Sequence, residues 1–394
     1  MGLGEDTYLL GGRALLPGGE FAAADLRLRN GVIAEIEPGL RPASGSAVVE
    51  VTGFVMPGLI DAHTHVSWAG REPMPNTWAG VVGRARGNRL RMLAAGVTTI
   101  RDVGSLDGVA FEPSGGPACF CANQIVCAVG GHGTETAEAW AGLPKLAREA
   151  RGADAFRAAV RYQADRGAHL VKLTLNAAEL EVTPEEAAAA VNEAHRLGRR
   201  VACHASIPDA IDIAIEAGAD TIEHGNGATP AQLRRMAAAG IVLVPTAWIF
   251  ERFLDEARRA DAGAVGERAW PPPVEIWEAR VAAHREVVSD AVAAGVVLAA
   301  GTDAIEGCDP DSLADEILTL HRLGLEPIDA LRAATEGGAA ALGDPGRGAL
   351  REGAAADVVV FEASPRDVVR DRIRPAMVFQ GYCGHVKAYF YVQA

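Results

Sequence analysis

The chain lacks any run of eighteen or more apolar residues, so no segment has the length that a membrane-spanning helix requires. Its beginning, Met1-Gly2-Leu3-Gly4-Glu5-Asp6-Thr7, has neither the basic end nor the apolar stretch of a secretory leader, and the expected location is the cytoplasm. Clustered basic residues are missing too. Arg199-Arg200, Arg234-Arg235 and Arg258-Arg259 are isolated pairs that read as solvated helix ends, and the formal net charge is −14. Nucleic acid and anionic membranes both demand positive counter-charge, so neither is expected as a partner. Cysteine is sparse: the six, at positions 119, 121, 127, 203, 308 and 383, contain no CxxC pair, which suits a reducing compartment. Cys119-Phe120-Cys121 would make half of a zinc clip, but no second Cys/His pair at finger-like spacing completes it, and the thiols read as buried or idle.

What is present is enough apolar material, 49% of 394 residues, for a large buried core. Short β-rich runs alternate with Ala-rich helical stretches. Strands are expected at Leu59 to His65, Thr98 to Val103, Gln124 to Val129, Leu170 to Leu175, Arg200 to His204, Thr221 to His224, Ile241 to Thr246 and Val296 to Ala300. Thr183-Pro184-Glu185-Glu186 and Thr229-Pro230 carry helix starts, a capping residue followed by Pro at the first helical position. Gly96, Gly198, Gly218, Gly240 and Gly295 stand where helices should stop before the next strand. Eight strand-helix units predict a closed (β/α)₈ TIM barrel over residues 58–343.

The flanks follow another pattern. Tyr8-Leu9-Leu10, Asp25 to Leu28, Val32 to Ile36 and Ala47 to Val51 are short strands broken by Gly-Gly, Asn-Gly and Pro-Gly turns, with no helical pattern before residue 57. The tail repeats that style in Ala356 to Phe361 and Ala376 to Gly381. Residues 1–57 and 344–394 are therefore expected to join into a small discontinuous β-sandwich domain built from both chain ends, packing beside the barrel.

Asp61-Ala62-His63-Thr64-His65 concentrates the chemistry. Imidazoles two residues apart on a strand point to the same side, so both can reach one metal ion while Thr64 faces away. In a barrel, functional groups belong at the C-terminal strand ends. Strand one ends in His63 and His65, strand four carries Lys172, strand five ends in His204, strand six ends in His224, and Asp303 follows strand eight in Gly301-Thr302-Asp303-Ala304. Four histidines, one lysine and one carboxylate thus converge on one rim, which points to metal binding.

These residues resemble the amidohydrolase superfamily, in particular its two-metal members, through Gly58 to His65, Ala95-Gly96-Val97-Thr98-Thr99-Ile100-Arg101-Asp102, Cys203-His204-Ala205, Ile222-Glu223-His224-Gly225 and Gly301 to Ala304. The likeness covers nearly the whole chain, including the return into the tail from Gly346 to Gly353 through Ala356-Asp357. Within the superfamily the chain is most similar to imidazolonepropionase-like and prolidase-like members, partly through Gly130-Gly131-His132-Gly133 after strand three. The resemblance implies that His63, His65 and Asp303 hold the more buried of two divalent metal ions, and that His204 and His224 hold the more exposed one. Lys172 would bridge them as a carbamate formed with carbon dioxide, since an ammonium has no lone pair to offer. Imidazole and carboxylate ligands suit zinc, with manganese or cobalt as alternatives.

The implied reaction is attack by a metal-bridging hydroxide on the carbonyl of an amide, peptide or cyclic amide of a small molecule, with Asp303 carrying the proton to the departing nitrogen. A lactone, ester or phosphotriester hydrolase on the same metals is the alternative, and a non-catalytic scaffold is a third reading that the filled ligand positions argue against. His132, flanked by glycines on a catalytic-face loop, is expected to bind the oxyanion or a substrate carboxylate, the alternative being a histidine that fixes its own loop. Asp61 is expected to support the His63/His65 pair, and Asp102 to do the same or cap a helix. His169, His195, His284, His321 and His385 read as structural or surface residues away from the rim.

Trp68 and Trp78 after strand one, and Trp248 after strand seven, form an aromatic group that would favour an apolar or aromatic substrate unless it only packs. The segment from 248 to 277 reads as a long insert, a lid candidate. Peptidase-like relatives that grip a substrate carboxylate carry a larger polar or aromatic residue two positions after the strand-five histidine. Ser206 stands there, a candidate substrate contact that departs from the dipeptidase pattern. Barrels of this family often associate, so a homo-oligomer is compatible with the reading.

Overall fold

In the computed structural model, the residues described are 6–111, 115–134, 142–261, 273–371, 374–382 and 385–390. Parallel strands make the centre. Leu59–Thr64, Val97–Asp102 and Ala118–Cys121 form one ladder, and Ala147–Ala150, Ile125–Ala128, Leu170–Thr174, Arg200–Ala205, Thr221–His224 and Val242–Val244 form a second, hydrogen-bonded in that order. Every residue of the first two strands is buried, without the in-out alternation of a half-exposed sheet, because helices cover the outer face and side chains fill the interior. The fold is a TIM-barrel-like α/β fold.

Helix boundaries follow from local chemistry. Thr183 and Thr229 cap the helices Pro184–Arg196 and Pro230–Ala239 in reciprocal capping boxes with Glu186 and Gln232. Gly218, Gly240 and Gly295 end their helices in the left-handed conformation, with φ of 84°, 69° and 77°.

The expected closed ring of eight regular strands is not what forms. Residues 296–300 make only a bridge between Leu243 and Leu298, because the segment divides its backbone among neighbours: Ala299 N donates to Leu243 O, Ala300 N to Ala333 O, and Ala300 O accepts from Ala62 N. Strand three, expected at Gln124 to Val129, forms over Ile125–Ala128 and pairs with Leu170–Thr174; before it, an unanticipated strand, Ala118–Cys121, pairs with Val97–Asp102, and the break between them holds Asn123 at φ 66°. Ala147–Ala150 adds a strand that the sequence pattern did not suggest.

Both chain ends contribute to two further sheets. Asp6–Leu10, Asp25–Arg29, Val32–Glu37 and Ala47–Glu50 form one; Arg13–Leu15, Phe21–Ala23, Phe54–Pro57, Val358–Phe361, Met377–Tyr382 and His385–Phe390 form the other. Leu9, Leu26, Leu28 and Ile33 from the first share a buried cluster with Val55, Val358, Val360 and Phe379 from the second. The helix Pro365–Asp371 and the strand His385–Phe390 were not anticipated. Phe54–Pro57 leads through Gly58 directly into the first barrel strand. A Cβ on Gly58 would stand 2.1 Å from Thr98 Oγ1, so only glycine fits this junction.

In the described part of the expected insert from 248 to 277, Ala247–Asp261 is one helix and Val274–Ala294 another, with Trp277 buried against the Phe250 and Phe253 rings. Trp270, Pro271 and Pro272 lie outside the described residues, as does Cys383. Among the described residues, no helix is long and apolar enough to cross a membrane.

Candidate metal centre

The ends of the first and eighth barrel segments meet. Asp303 Oδ1 lies 3.1 Å from His65 Nε2 and 3.4 Å from His63 Nε2, and the three residues offer ligand atoms within 4.8 Å of one another. Beside them, the His224 ring is 5.2 Å from that of His63 and 4.5 Å from that of His204, and the His132 ring lies 4.5 Å from that of His204. Lys172 is buried on the next strand, in register with Ala202, and its Nζ has no hydrogen-bond partner among the described residues. The structure therefore brings His63, His65 and Asp303 into one cluster and sets His204, His224 and His132 in a row against it.

Each of three imidazoles is turned by a partner at Nδ1. For His63 it is the Glu223 carboxylate at 2.6 Å, for His65 the Gly104 carbonyl at 2.6 Å, and for His224 the Thr246 hydroxyl at 2.7 Å. At His63 and His65 this leaves Nε2 facing Asp303, an orientation usual for metal-bound histidine, whereas at His224 it is Nδ1 that lies 4.0 Å from Asp303 Oδ2. Burial pushes His204 and His224 well below the usual imidazole range, against the pull of Asp303 at both, a direction that favours the neutral, ligating form. Burial also lowers the Lys172 amine, against the pull of Glu223 and Asp303. Burial opposes ionisation of Asp303, yet the surrounding imidazoles hold its carboxyl well below the usual range. The donor set is imidazole nitrogen, carboxylate oxygen and an unpartnered buried amine, with no thiolate, and it fits divalent ions of the zinc, manganese or cobalt kind.

Backbone strain collects here. His224, Thr246 and Asp303, at the ends of strand segments six, seven and eight, have φ of 67°, 51° and 48°. Such conformations cost about 1–3 kcal/mol each and persist only where surrounding contacts impose them. Gly301 shows how tight the packing is, since a Cβ there would stand 2.6 Å from His63 Cβ and 2.9 Å from His63 N. Gly301→Ala is expected to cost about 1–3 kcal/mol by overpacking and to displace His63, seen as a lower melting temperature together with weaker divalent-ion binding; unchanged ion binding would contradict this placement.

A model of the amidohydrolase family matches residues 54–390. The chain belongs to the amidohydrolase family. It is 31% identical over 342 residues to an uncharacterized protein of Mycobacterium tuberculosis, covering 82% of this chain and 83% of that protein. It is 30% identical to the ochratoxinase of Aspergillus niger over 232 residues, 56% of this chain and 46% of that protein. A solved prolidase complexed with N-methylphosphonate-L-proline superposes with a TM-score of 0.83 at 26% identity, covering 97% of this chain and 99% of that one. The prolidase-like resemblance read from the motifs is borne out, and the protein is a hydrolase acting on carbon–nitrogen bonds.

The other candidates of this amidohydrolase fall into place unevenly. Asp61 braces the His63/Asp303 cluster through backbone rather than rings: it accepts from His63 N at 3.2 Å, from Thr302 N at 3.0 Å and from Thr302 Oγ1 at 2.8 Å, tying strand one to the Asp303 turn. Burial pushes its carboxyl up to about 6. Asp102 caps no helix; it accepts from Val66 N, Gly104 N and Ser105 Oγ and so holds the loops that carry His65 and its partner carbonyl. His132 is fixed through its backbone, donating N–H to Glu181 and accepting from Thr174, while its ring faces His204.

Ser206 is engaged with Asn176, whose amide donates to Ser206 Oγ at 2.8 Å and whose oxygen accepts from Ser206 N at 3.0 Å. Of the tryptophans, Trp68 stacks edge-on 5.7 Å from His65, whereas Trp248 packs with Ala69, Ile249 and Ala304, and Trp78 begins a helix near Gly108. His284 is nearer the centre than expected, buried 4.6 Å from the Phe250 ring, which itself lies 5.9 Å from His224.

Sequence reasoning missed Glu223, Arg101, Thr246 and Glu316. Arg101 NH2 donates to both Glu223 oxygens, at 2.7 and 2.9 Å, and its NH1 donates to Thr221 Oγ1 at 2.9 Å. Burial alone would raise the Glu223 carboxyl, but Arg101 and His63 hold it ionised below the usual range. Glu316 accepts from the amides of Ala247 and Trp248, fixing the helix start behind Thr246. The available signal was a charged residue of each sign, Arg101 and Glu223, on two strands whose residues are all buried.

Proposed function

We propose that this amidohydrolase cleaves an amide, peptide or cyclic amide bond of a small molecule at a two-metal centre, most plainly with zinc. The observation that carries the reading is Lys172, a buried amine with no hydrogen-bond partner among the described residues, near a histidine–aspartate cluster. Addition of carbon dioxide to that amine, forming an N–C bond with loss of a proton, would give a carbamate whose two oxygens share one negative charge and would let Lys172 serve as a ligand. His63, His65 and Asp303 would hold one ion and His204 and His224 the other. When bound, such ions polarise a carbonyl and make water acidic enough to attack it near neutral pH.

The chain's own groups do the rest. Asp303, whose side chain is 19% exposed, reaches both the buried imidazoles and the substrate side, so it takes the proton from the attacking water and returns it to the leaving nitrogen. His132, beside His204, binds the developing oxyanion or a substrate carboxylate. The phosphonate on a proline nitrogen in the prolidase complex has the tetrahedral shape of an amide under attack, which supports an N-acyl amino acid or peptide as the substrate class.

We also read the two parallel ladders as one barrel around the site, supported by the hydrogen bonds of Ala122 N to Asp102 O, His169 N to Cys121 O and Ala62 N to Ala300 O. The sheets from the chain ends form its small sandwich.

The test is a screen of the zinc-reconstituted protein against N-acyl amino acids, dipeptides, cyclic amides, lactones and phosphotriesters. Turnover of a C–N substrate that disappears with a chelator and returns with zinc is the expected result; hits confined to lactones or phosphotriesters would sink the reading.

A further inference from the structure

We infer that the buried Arg101–Glu223 pair is a positioning device for His63, making that ring the ligand most strongly biased toward the metal centre. The inference rests on the metal reading above. Its basis is an asymmetry among the ligand rings. His65 and His224 lean on neutral partners, a carbonyl and a hydroxyl, whereas His63 leans on a carboxylate. A carboxylate accepting from Nδ1–H fixes the tautomer and raises the electron density at Nε2, which strengthens that nitrogen as a ligand.

The carboxylate is itself locked. Glu223 is fully buried and held by Arg101 NH2 at both oxygens, and the Thr221 hydroxyl donates to Oε1. Arg101 Nε donates to Ala62 O, the carbonyl immediately before His63, so the same guanidinium grips both the ring's partner and the strand that carries the ring. The network runs from strand two through strand six to strand one and ends on the Nδ1 of a single imidazole. A buried glutamate needs only the guanidinium for charge balance. Its contact with His63, at 2.6 Å, serves the ring.

The competing explanation is that the pair merely fills the barrel interior, and the test separates the two. Zinc affinity of the full-length apo protein is measured by competition with a chromophoric chelator, alongside the melting temperature of the same apo protein, for wild type, Glu223→Gln, and Glu223→Gln combined with Arg101→Met. Wild type is expected to bind two zinc ions. In Glu223→Gln one of the two should bind about 10–100-fold more weakly, the range for loss of a partner behind a metal-bound histidine, with the other little changed. The double variant removes the unpaired guanidinium, so its apo melting temperature should return toward wild type while the weakened zinc affinity persists.

Unchanged affinity in Glu223→Gln, or affinity that recovers together with the melting temperature in the double variant, would overturn the inference. If Glu223→Gln does not fold, the double variant alone decides. A wild-type protein that binds no zinc would overturn the metal reading itself, and this inference with it.

Discussion

Asp303→Asn is expected to lower kcat by about 10²–10⁴-fold, the range for losing a positioned proton carrier, in a protein that keeps its fold. Asp303 is the carboxylate that approaches the Nε2 atoms of both His63 and His65. It also occupies a left-handed backbone conformation, φ 48°. Asparagine tolerates that conformation nearly as well as aspartate and matches its size, so the substitution removes charge and basicity without new strain. Steady-state kinetics on the best C–N substrate, with the melting temperature as control, would show the loss. An Asp303→Asn protein of normal turnover would mean that another group moves the proton.

Arg101→Met should destabilise the apo protein by about 3–5 kcal/mol, because breaking a buried ion pair leaves the other charge unpaired in a low-dielectric interior. The methionine fills much of the volume, so packing loss is minor and the charge dominates. Glu223 has the Thr221 hydroxyl and the His63 ring as remaining partners, and neither replaces a guanidinium that contacts both carboxylate oxygens. Denaturant unfolding of the metal-free protein reads the effect directly. A cost near that of an exposed ion pair, below about 1 kcal/mol, would show that the pair is not sealed in the interior.

How far the sequence could be read follows from where its signals are local. The His63 and His65 spacing, the glycine stops and the Thr-Pro helix starts each depend on a few adjacent residues, and they are found where the pattern placed them. Strand three and segment 296–300 depend instead on distant partners. The kink at Asn123 is stabilised by its amide donating to Asp107 and Gln163, and Ala300 is drawn off by Ala333, none of which periodicity records. Strict alternation also misleads at His224: its positive φ of 67° departs from extended backbone at the end of the strand, and Glu223 and His224 both lie against His63 although neighbours on a strand should face apart.

The candidate site was legible as histidines, a lysine and a carboxylate at strand ends because few residue types suit metal ligation, and the structure brings His63, His65 and Asp303 together. Its supports were not. Thr246, Gly104 and Glu316 are ordinary residues in sequence, and they acquire roles only by lying against an imidazole or the start of a helix. Ser206 illustrates the reverse, a position singled out by its place after His204 that proves to be joined to Asn176.

The most direct measurement is a zinc titration of the chelator-stripped protein, with bound ions counted and hydrolysis of an N-acyl amino acid or peptide followed in the same samples. Two ions per chain, no turnover before zinc is added, and turnover that rises as the ions bind are expected. Full activity in the stripped protein, or a chain that takes up no divalent ion, would contradict the metal reading.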